Sequence, residues 1–404
     1  MQTDPSSFFR RQTIFLTGGT GGLGGCLLFK LALKVDAHKV YVLVRGSVQR
    51  AQAQLEAMMP DEIAAIRATG KIQFIVGDVT KPEFGLDRVV LSEMAENVTV
   101  IIHSAANISL KASYRRAVDN NCLPTLWLAQ FGSTFKNLTS FVYISTAFVN
   151  GFLPDGPVEE RIYELGDAEQ QLSDILTTGY PESLSQAQPT PPLFPSRYSF
   201  SKNLTERLLI SRNPNLPLLI VRPTCIAPAI SQPHPYYSRP GSCPMSTYIR
   251  QYLMAPDSGV IQVSPKHQSG SNIVDEIPVD LVANLILLHT MRGRIGIVHA
   301  CSKSYVPRSL SQLHGTILAH ISPHMPRDEF EYTSDCFMVE GDYARFWGIM
   351  GRDLHFSNGA SKELANVRGA LSMGLEGHDA AEFMATRARL VAKDVEARSI
   401  KNKL

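Results

Sequence analysis

This chain of 404 residues is short of several things, and each shortage closes off a class of function. Its formal charge is only +2, too little excess of lysine and arginine for the clustered basic face that nucleic acid demands. The six cysteines (Cys26, Cys122, Cys225, Cys243, Cys301 and Cys336) are scattered, with no Cys-x-x-Cys pair and no Cys/His group at zinc spacing. A reduced compartment fits them; a metal site does not. No run approaches the roughly 18 apolar residues of a membrane span, and the opening MQTDPSSFFRRQ holds no apolar core of signal-peptide length. A soluble, cytoplasmic protein is expected, and the Asn-x-Ser/Thr matches at Asn97, Asn107, Asn137 and Asn203 read as chance. One competing address stands at the C-terminus, where Asn402-Lys403-Leu404 comes close to the peroxisomal Ser-Lys-Leu. A basic helical tail ending by chance in Lys-Leu is the simpler reading. Repeats and low-complexity tracts are also missing.

What the chain does have is strand–helix alternation, with 44% hydrophobic residues to bury. Short apolar runs at 13–17, 40–45, 72–79, 98–106, 140–146 and 216–223 read as buried parallel strands, the last closing the sheet. Helices are expected between them, notably over 47–69 and 111–133. The pattern predicts an α/β fold, a doubly wound parallel Rossmann sheet. The loop at 177–196 carries five prolines and directly precedes a helical stretch, SRYSFSKNLTERLLI; a lid over the substrate is expected there. A Pro/Tyr-rich loop follows at 228–244, then a helix including 279–289. From about 300 the chain turns to helices with polar faces, so two regions are expected: a reductase domain over 10–300 and a small helical domain over 301–404.

The first strand runs into TGGTGGLGG at residues 17–25. Gly18, Gly21 and Gly24 are spaced G-x-x-G-x-x-G. The first permits a tight bend, the second lets backbone amides approach phosphate, and the third lets the helix pack on the sheet. Thr17, Thr20, Gly22 and Leu23 complete the turn. A glycine-rich turn alone is weak evidence, but this one lies between a strand and a helix, where a dinucleotide needs it. The second strand ends on Arg45 where an NAD site would place a carboxylate. A guanidinium there matches the 2′-phosphate of NADPH. Asp78 and Val79 after the third strand are expected to flank the adenine. Ala105 and Ala106 after the fourth are small enough for the ribose to lie close, while His103 reads as a packed strand residue.

Tyr198 and Lys202, in RYSFSK, make the only Tyr-x-x-x-Lys among thirteen tyrosines. Four residues apart, they share one helical face. A free phenol titrates near 10, and an adjacent ammonium favours its ionised form. Tyr198 is thus expected to exchange a proton with a carbonyl oxygen as hydride is transferred, with Lys202 also binding the nicotinamide ribose. Thr146, at the end of the fifth strand beside Ser145, is expected to hydrogen-bond the substrate oxygen, and Asn121 to hold a relay water. Pro223 and Thr224, after the sixth strand, fall where backbone groups meet the nicotinamide carboxamide.

With these pieces assembled, the chain resembles the fatty acyl-CoA reductase (male-sterility) family of extended short-chain dehydrogenase/reductases. The resemblance rests on GDVTKPEFGLD (77–87), VIIHSAANISL (100–110), AVDNNCLPT (117–125), FVYISTAFVNG (141–151), VEERIY (158–163), RYSFSKNLTE (197–206), LIVRPT (219–224) and IPVDLVANLIL (277–287), with a fainter echo in FSNGASKEL (356–364). It implies Thr146, Tyr198 and Lys202 as the catalytic set, with Asn121 in support. It also implies NADPH-dependent reduction of an acyl thioester to an aldehyde or a primary alcohol. The chain departs from the family pattern at Pro124, at Asn107-Ile108-Ser109 and in the loop after Pro223, which lacks a Pro-Gly-Trp run. The membrane-spanning tail of many animal members is not expected here. The departures fall on substrate-facing segments, so the acyl group and its carrier, coenzyme A or a carrier protein, stay open. The competing readings are a dehydrogenase of the same fold that interconverts an alcohol and a ketone or aldehyde, and a non-enzymatic binding protein. The intact Thr/Tyr/Lys set speaks against the last.

Overall fold

The apolar runs become strands because each is too short and too uniformly hydrophobic for anything but burial on both faces. The computed structural model describes residues 4–183, 194, 196–254, 260–263, 265–321, 331–334 and 350–401. Its main sheet consists of β1 (Thr13–Thr17), β2 (Lys39–Val44), β3 (Ile72–Val76), β4 (Val100–His103), β5 (Ser140–Ile144), β6 (Leu218–Pro223) and β7 (Gly296–Ala300). Their order across the sheet is β7-β6-β5-β4-β1-β2-β3, and every pairing is parallel. β1 is flanked by β2 on one side and β4 on the other. The winding therefore reverses at β1 and β4, and a crevice must open beyond their C-terminal ends.

Helices cover both faces. On one lie α1 (Gly22–Leu33), α2 (Val48–Met58) and, late in the chain, α7 (Val279–Met291). Their Leu27, Leu31, Leu55, Leu285 and Leu288 join Ile14, Val42 and Val221 in one buried cluster. On the other lie α3 (Arg88–Asn97), α4 (Leu123–Gly132) and α5 (Arg197–Arg212), packing Leu91, Leu128, Phe200 and Leu204 against Phe15, Ile101 and Tyr143. A third cluster stands outside the sheet. There α6 (Pro244–Met254), α8 (Leu310–His320) and α9 (Ala380–Lys401) bring together Tyr248, Tyr252, Leu313, Ile317 and Val391.

Three details differ from the sequence expectation. The sheet does not close at 216–223: GIVHA at 296–300 adds β7 beside β6, with Ile297 opposite Ile220. Five residues are too few for periodicity to distinguish strand from helix. The helix expected over 47–69 breaks into Val48–Met58 and Ile63–Ala68 around Pro60, whose ring removes a donor and restricts Met59. The helix expected over 111–133 begins at Tyr114 and passes through a π-type turn at Val118–Cys122 before α4. Most of the proline-rich stretch read as a lid, and the C-terminal tripeptide 402–404, lie outside the described residues. Among the described residues no helix is long and apolar enough to cross a membrane.

Candidate active site

The glycine turn is shaped by contacts that a side chain would destroy. Gly18 has φ +72°, and a Cβ on it would lie 2.6 Å from the Ala105 backbone nitrogen. At Gly24 a Cβ would come within 2.1 Å of the Gly18 carbonyl oxygen. The same carbonyl accepts from the Gly21 N–H at 2.8 Å, which closes the bend and starts α1. Gly21, Gly22, Leu23 and Gly24 then face an open cleft of about 460 Å³, so first-turn amides and free space coincide where a diphosphate fits.

A chain of buried hydrogen bonds fixes the neighbouring loop. Thr125 donates to the Asn121 carbonyl at 2.5 Å, so the His103 Nε2–H, 3.0 Å away, is the donor to Thr125. His103 Nδ1 accordingly accepts from the Thr17 hydroxyl at 2.7 Å, and Thr17 Oγ1 accepts from the Ala105 N–H at 3.3 Å. Burial, reinforced by Lys202, drives His103 down to about 3. It is a neutral packing residue at the end of β4, as its strand position predicts. Asn121, held by the π-type turn, closes the other end of the loop. Its Oδ1 accepts from the Asn107 N–H at 2.8 Å, and its Nδ2 donates to the Asn107 carbonyl at 3.1 Å and to Ser201 Oγ at 3.2 Å. Ser201 donates in turn to the Tyr198 carbonyl at 2.8 Å. Both amide hydrogens of Asn121 are therefore spent on protein, and the residue ties the 104–110 loop to the tyrosine-bearing helix.

That helix, α5, is capped by Ser196, which accepts from the Ser199 N–H at 3.1 Å, and residues from Ser199 to Leu209 are buried around its circumference. Being enclosed on every side, it has no amphipathic signature. Lys202, only 2% exposed, donates to the Ile144 carbonyl at 2.7 Å and stands 4.5 Å from the centre of the Tyr143 ring. Burial drops its ammonium to about 7, with Glu206 pulling weakly the other way. Glu206 is itself buried and paired in two directions with Arg222, at 3.0 Å from Nε and 2.5 Å from Nη2, so little of its charge is left for Lys202. Tyr198 is half-buried and 6.0 Å from Lys202 Nζ, measured to its ring centre. Its phenol is raised by burial rather than lowered by the ammonium, so the protonated acid is the resting form. Thr146 begins a single 3-10 turn after β5, and its hydroxyl lies 3.5 Å from the Pro223 carbonyl.

Ser145, Thr146, Tyr198, Lys202, Ala106, Pro223 and Thr224 all line the same cleft as the glycine turn. Thr224 donates its N–H to the Ala300 carbonyl at 2.9 Å, fixing the chain after β6. Arg45, Asp78 and Val79, also predicted for the cofactor, are not among the residues lining this cleft. Arg45 is exposed just past β2, while Asp78 accepts from the Thr80 N–H and hydroxyl in a tight turn after β3 beside half-buried Val79. From Thr146 and Tyr198 a second cavity, about 430 Å³, continues between Ile108, Leu110, Phe148, Ile226, Tyr248 and Met350. Sequence reasoning missed the segment Ser238–Cys243, which forms part of the cleft wall. It carries no periodicity, and only the Arg-Pro-Gly-Ser turn signal hinted at its shape.

Known proteins resemble this chain in sequence and in fold. The profile of the male sterility protein family, an NAD-binding family, matches residues 16–286. Fatty acyl-CoA reductase 1 of Gallus gallus is 27% identical over 69% of this chain and 54% of its own length. Fatty acyl-CoA reductase 2 of Homo sapiens is 27% identical over 70% and 55%. The chain spans about half to three fifths of the length of the curated relatives it matches. Among solved structures, the terminal R domain of the myxalamid PKS-NRPS pathway superposes with a TM-score of 0.66 at 20% identity, covering 96% of this chain and 91% of that one. UDP-glucuronic acid 4-epimerase of Bacillus cereus, in complex with NAD, gives 0.59 at 16%, covering 95% and 100%. At such identities the structures speak for the extended, doubly wound fold alone. The family match over two thirds of the sequence settles membership: this chain belongs to the male sterility protein family of NAD-binding proteins.

Proposed function

We propose that this chain reduces an acyl thioester with NADPH, using Tyr198, Lys202 and Thr146 as its catalytic residues. The observation that carries the reading is that Thr146 and Tyr198 stand where two cavities meet, with Lys202 lining the first of them. One runs from the glycine turn; the other is walled largely by apolar residues. A dinucleotide fits the first and an acyl chain the second, with the reacting carbon at Thr146 and Tyr198. Thr17–Gly24, Ala105, Ala106, Pro223 and Thr224 would hold the dinucleotide, Asp78 and Val79 its adenine, and Arg45 its 2′-phosphate. The names of the relatives point to fatty acyl-CoA, and that of the superposed R domain to a chain on a carrier. Residues 10–300 then form the reductase domain and 301–404 the region that completes the acyl side.

When bound, the cofactor supplies a hydride to the thioester carbon. The chain's own residues manage the oxygen and the sulfur. Thr146 holds the carbonyl oxygen, and Tyr198, kept protonated by burial, gives it a proton as negative charge develops there. The product is a hemithioacetal, and the phenolate left behind is stabilised by the Lys202 ammonium. The phenolate then takes back the hydroxyl proton as the C–S bond breaks, releasing a thiolate and an aldehyde and restoring Tyr198. Asn121 positions the loop and helix around this exchange rather than touching it. Tyr198→Phe is expected to bind NADPH as the wild type does while losing roughly 10²- to 10⁴-fold in turnover, the usual worth of a positioned proton donor. Turnover within twofold of wild type would remove Tyr198 from the mechanism.

A further inference from the structure

Between β6 and α6 the chain leaves the sheet and crosses over the start of α1. This strap, residues 229–243, is anchored firmly for a segment without regular structure. The buried Asp280 carboxylate accepts from the N–H groups of Ile230, Ser231 and Gln232 at 3.1, 3.0 and 3.2 Å. Lys30, buried in α1, donates to the Gln232 side chain at 2.7 Å. Tyr237 donates to the Gly22 carbonyl at 3.0 Å, and His234 Nε2 meets the Met58 carbonyl at 2.9 Å. The strap ends in a β-turn: Ser242 N–H donates to the Arg239 carbonyl at 3.0 Å, with Pro240 second and Gly241, φ +77°, third. Proline then glycine at these positions is the type II preference, so the turn is rigid by composition. Its tip faces the glycine turn. A Cβ on Gly22 would lie 3.0 Å from Ser242 Oγ and 3.7 Å from Arg239 Cβ, and both residues line the cleft. No acidic side chain pairs with Arg239 among the described residues.

We propose that Arg239, presented by this strap, is the cationic half of the diphosphate site, so that the dinucleotide is gripped between the amides of α1 and a guanidinium from the opposite wall. This rests on the reading that the glycine turn holds a dinucleotide. The α1 amides supply only partial charge to a group bearing two negative charges, and a guanidinium opposite them completes the neutralisation with directed N–H donors. Arg45 and Arg239 then have separate duties. Arg45 recognises the 2′-phosphate, which only one of the two nicotinamide cofactors carries, whereas Arg239 recognises the diphosphate common to both.

The separation gives the test. Dissociation constants of NADPH and NADH are measured by nicotinamide fluorescence on the full chain carrying Arg239→Ala, Arg239→Lys or Arg45→Ala. Arg239→Ala is expected to weaken both cofactors by the same factor, roughly 10- to 100-fold for a lost charge-assisted hydrogen bond. Arg239→Lys recovers part of that loss, and Arg45→Ala weakens NADPH far more than NADH. Unchanged binding in Arg239→Ala overturns the proposal, as does a loss confined to NADPH. A third contrary result is a rise in KM for palmitoyl-CoA, with cofactor binding intact and the phosphate-free N-acetylcysteamine thioester unaffected. That would assign Arg239 to coenzyme A phosphate. If the wild type binds neither dinucleotide, the underlying site assignment fails and the strap's role falls with it.

Discussion

On its cofactor side the cleft is bounded by one run of backbone, the glycine turn, of which Gly21 to Gly24 line it and whose shape is set by what is missing from Gly18 and Gly24. On its acyl side the wall is a collection of side chains, Ile108, Phe148, Tyr248 and Met350 among them, brought together from the 104–110 loop, the turn after β5, α6 and the chain near 350. Backbone shape tolerates almost no substitution, because a carbonyl cannot move aside. A side-chain wall can repack, since losing one apolar group changes volume without altering the path of the chain. The expected consequence is asymmetric sensitivity: cofactor binding depends steeply on single atoms, and acyl selectivity varies gradually.

The sharpest way to break this contrast is Gly24→Ala. Its methyl would sit 2.1 Å from the Gly18 carbonyl oxygen, so the turn must deform, and we expect at least a roughly 100-fold loss of NADPH affinity together with a lower Tm. Gly22→Ala is the internal control, because its neighbour at 3.0 Å is the Ser242 hydroxyl, a side chain able to rotate. Equal effects from the two would mean that the turn is not a rigid backbone wall. A smaller effect is expected on the acyl side. Phe148→Ala removes an aromatic face from the cavity and should raise KM for a long-chain thioester by roughly 10- to 100-fold, the worth of one buried ring, leaving the NADPH dissociation constant alone. A matching loss of cofactor affinity would show that the two walls are not independent.

A separate effect concerns stability. Burial holds His103, His299 and His314 each at about 3, far below the 6.5 of an exposed imidazole. Between about pH 3 and 6.5 the unfolded chain therefore binds more protons than the folded one. Stability is kept above 6.5 and lost as the pH falls, by at most about 1.4 kcal/mol per pH unit for each group. Urea midpoints at pH 7.5, 5.5 and 4.5 should decline in that order, and His314→Gln should flatten the decline. A midpoint independent of pH would contradict the buried, neutral assignment.

The same contrast decides how much could be read from sequence. The glycine turn, β1 to β6 and the Tyr198–Lys202 pair were legible, because each is written in a local pattern: apolar runs, glycine spacing, residues one helical turn apart. β7 was not, since GIVHA is five residues long and its strand character comes from lying beside β6. Arg239 and Ser242 were invisible for a related reason. Their place opposite Gly22 depends on Asp280 and Tyr237, contacts that join distant parts of the chain. The Tyr198 phenol teaches a further point. Spacing alone predicts that Lys202 lowers its pKa, yet burial raises it, while the ammonium donates to the Ile144 carbonyl.

The most direct test of the account follows NADPH oxidation and free thiol together, with purified protein and palmitoyl-CoA as the substrate. The account predicts thiol release in fixed proportion to NADPH consumed, one NADPH per thiol if the product is the aldehyde and two if it is the alcohol, with both signals lost in Tyr198→Phe. NADPH oxidation with the free aldehyde but no thiol released from palmitoyl-CoA or from other acyl thioesters would contradict it.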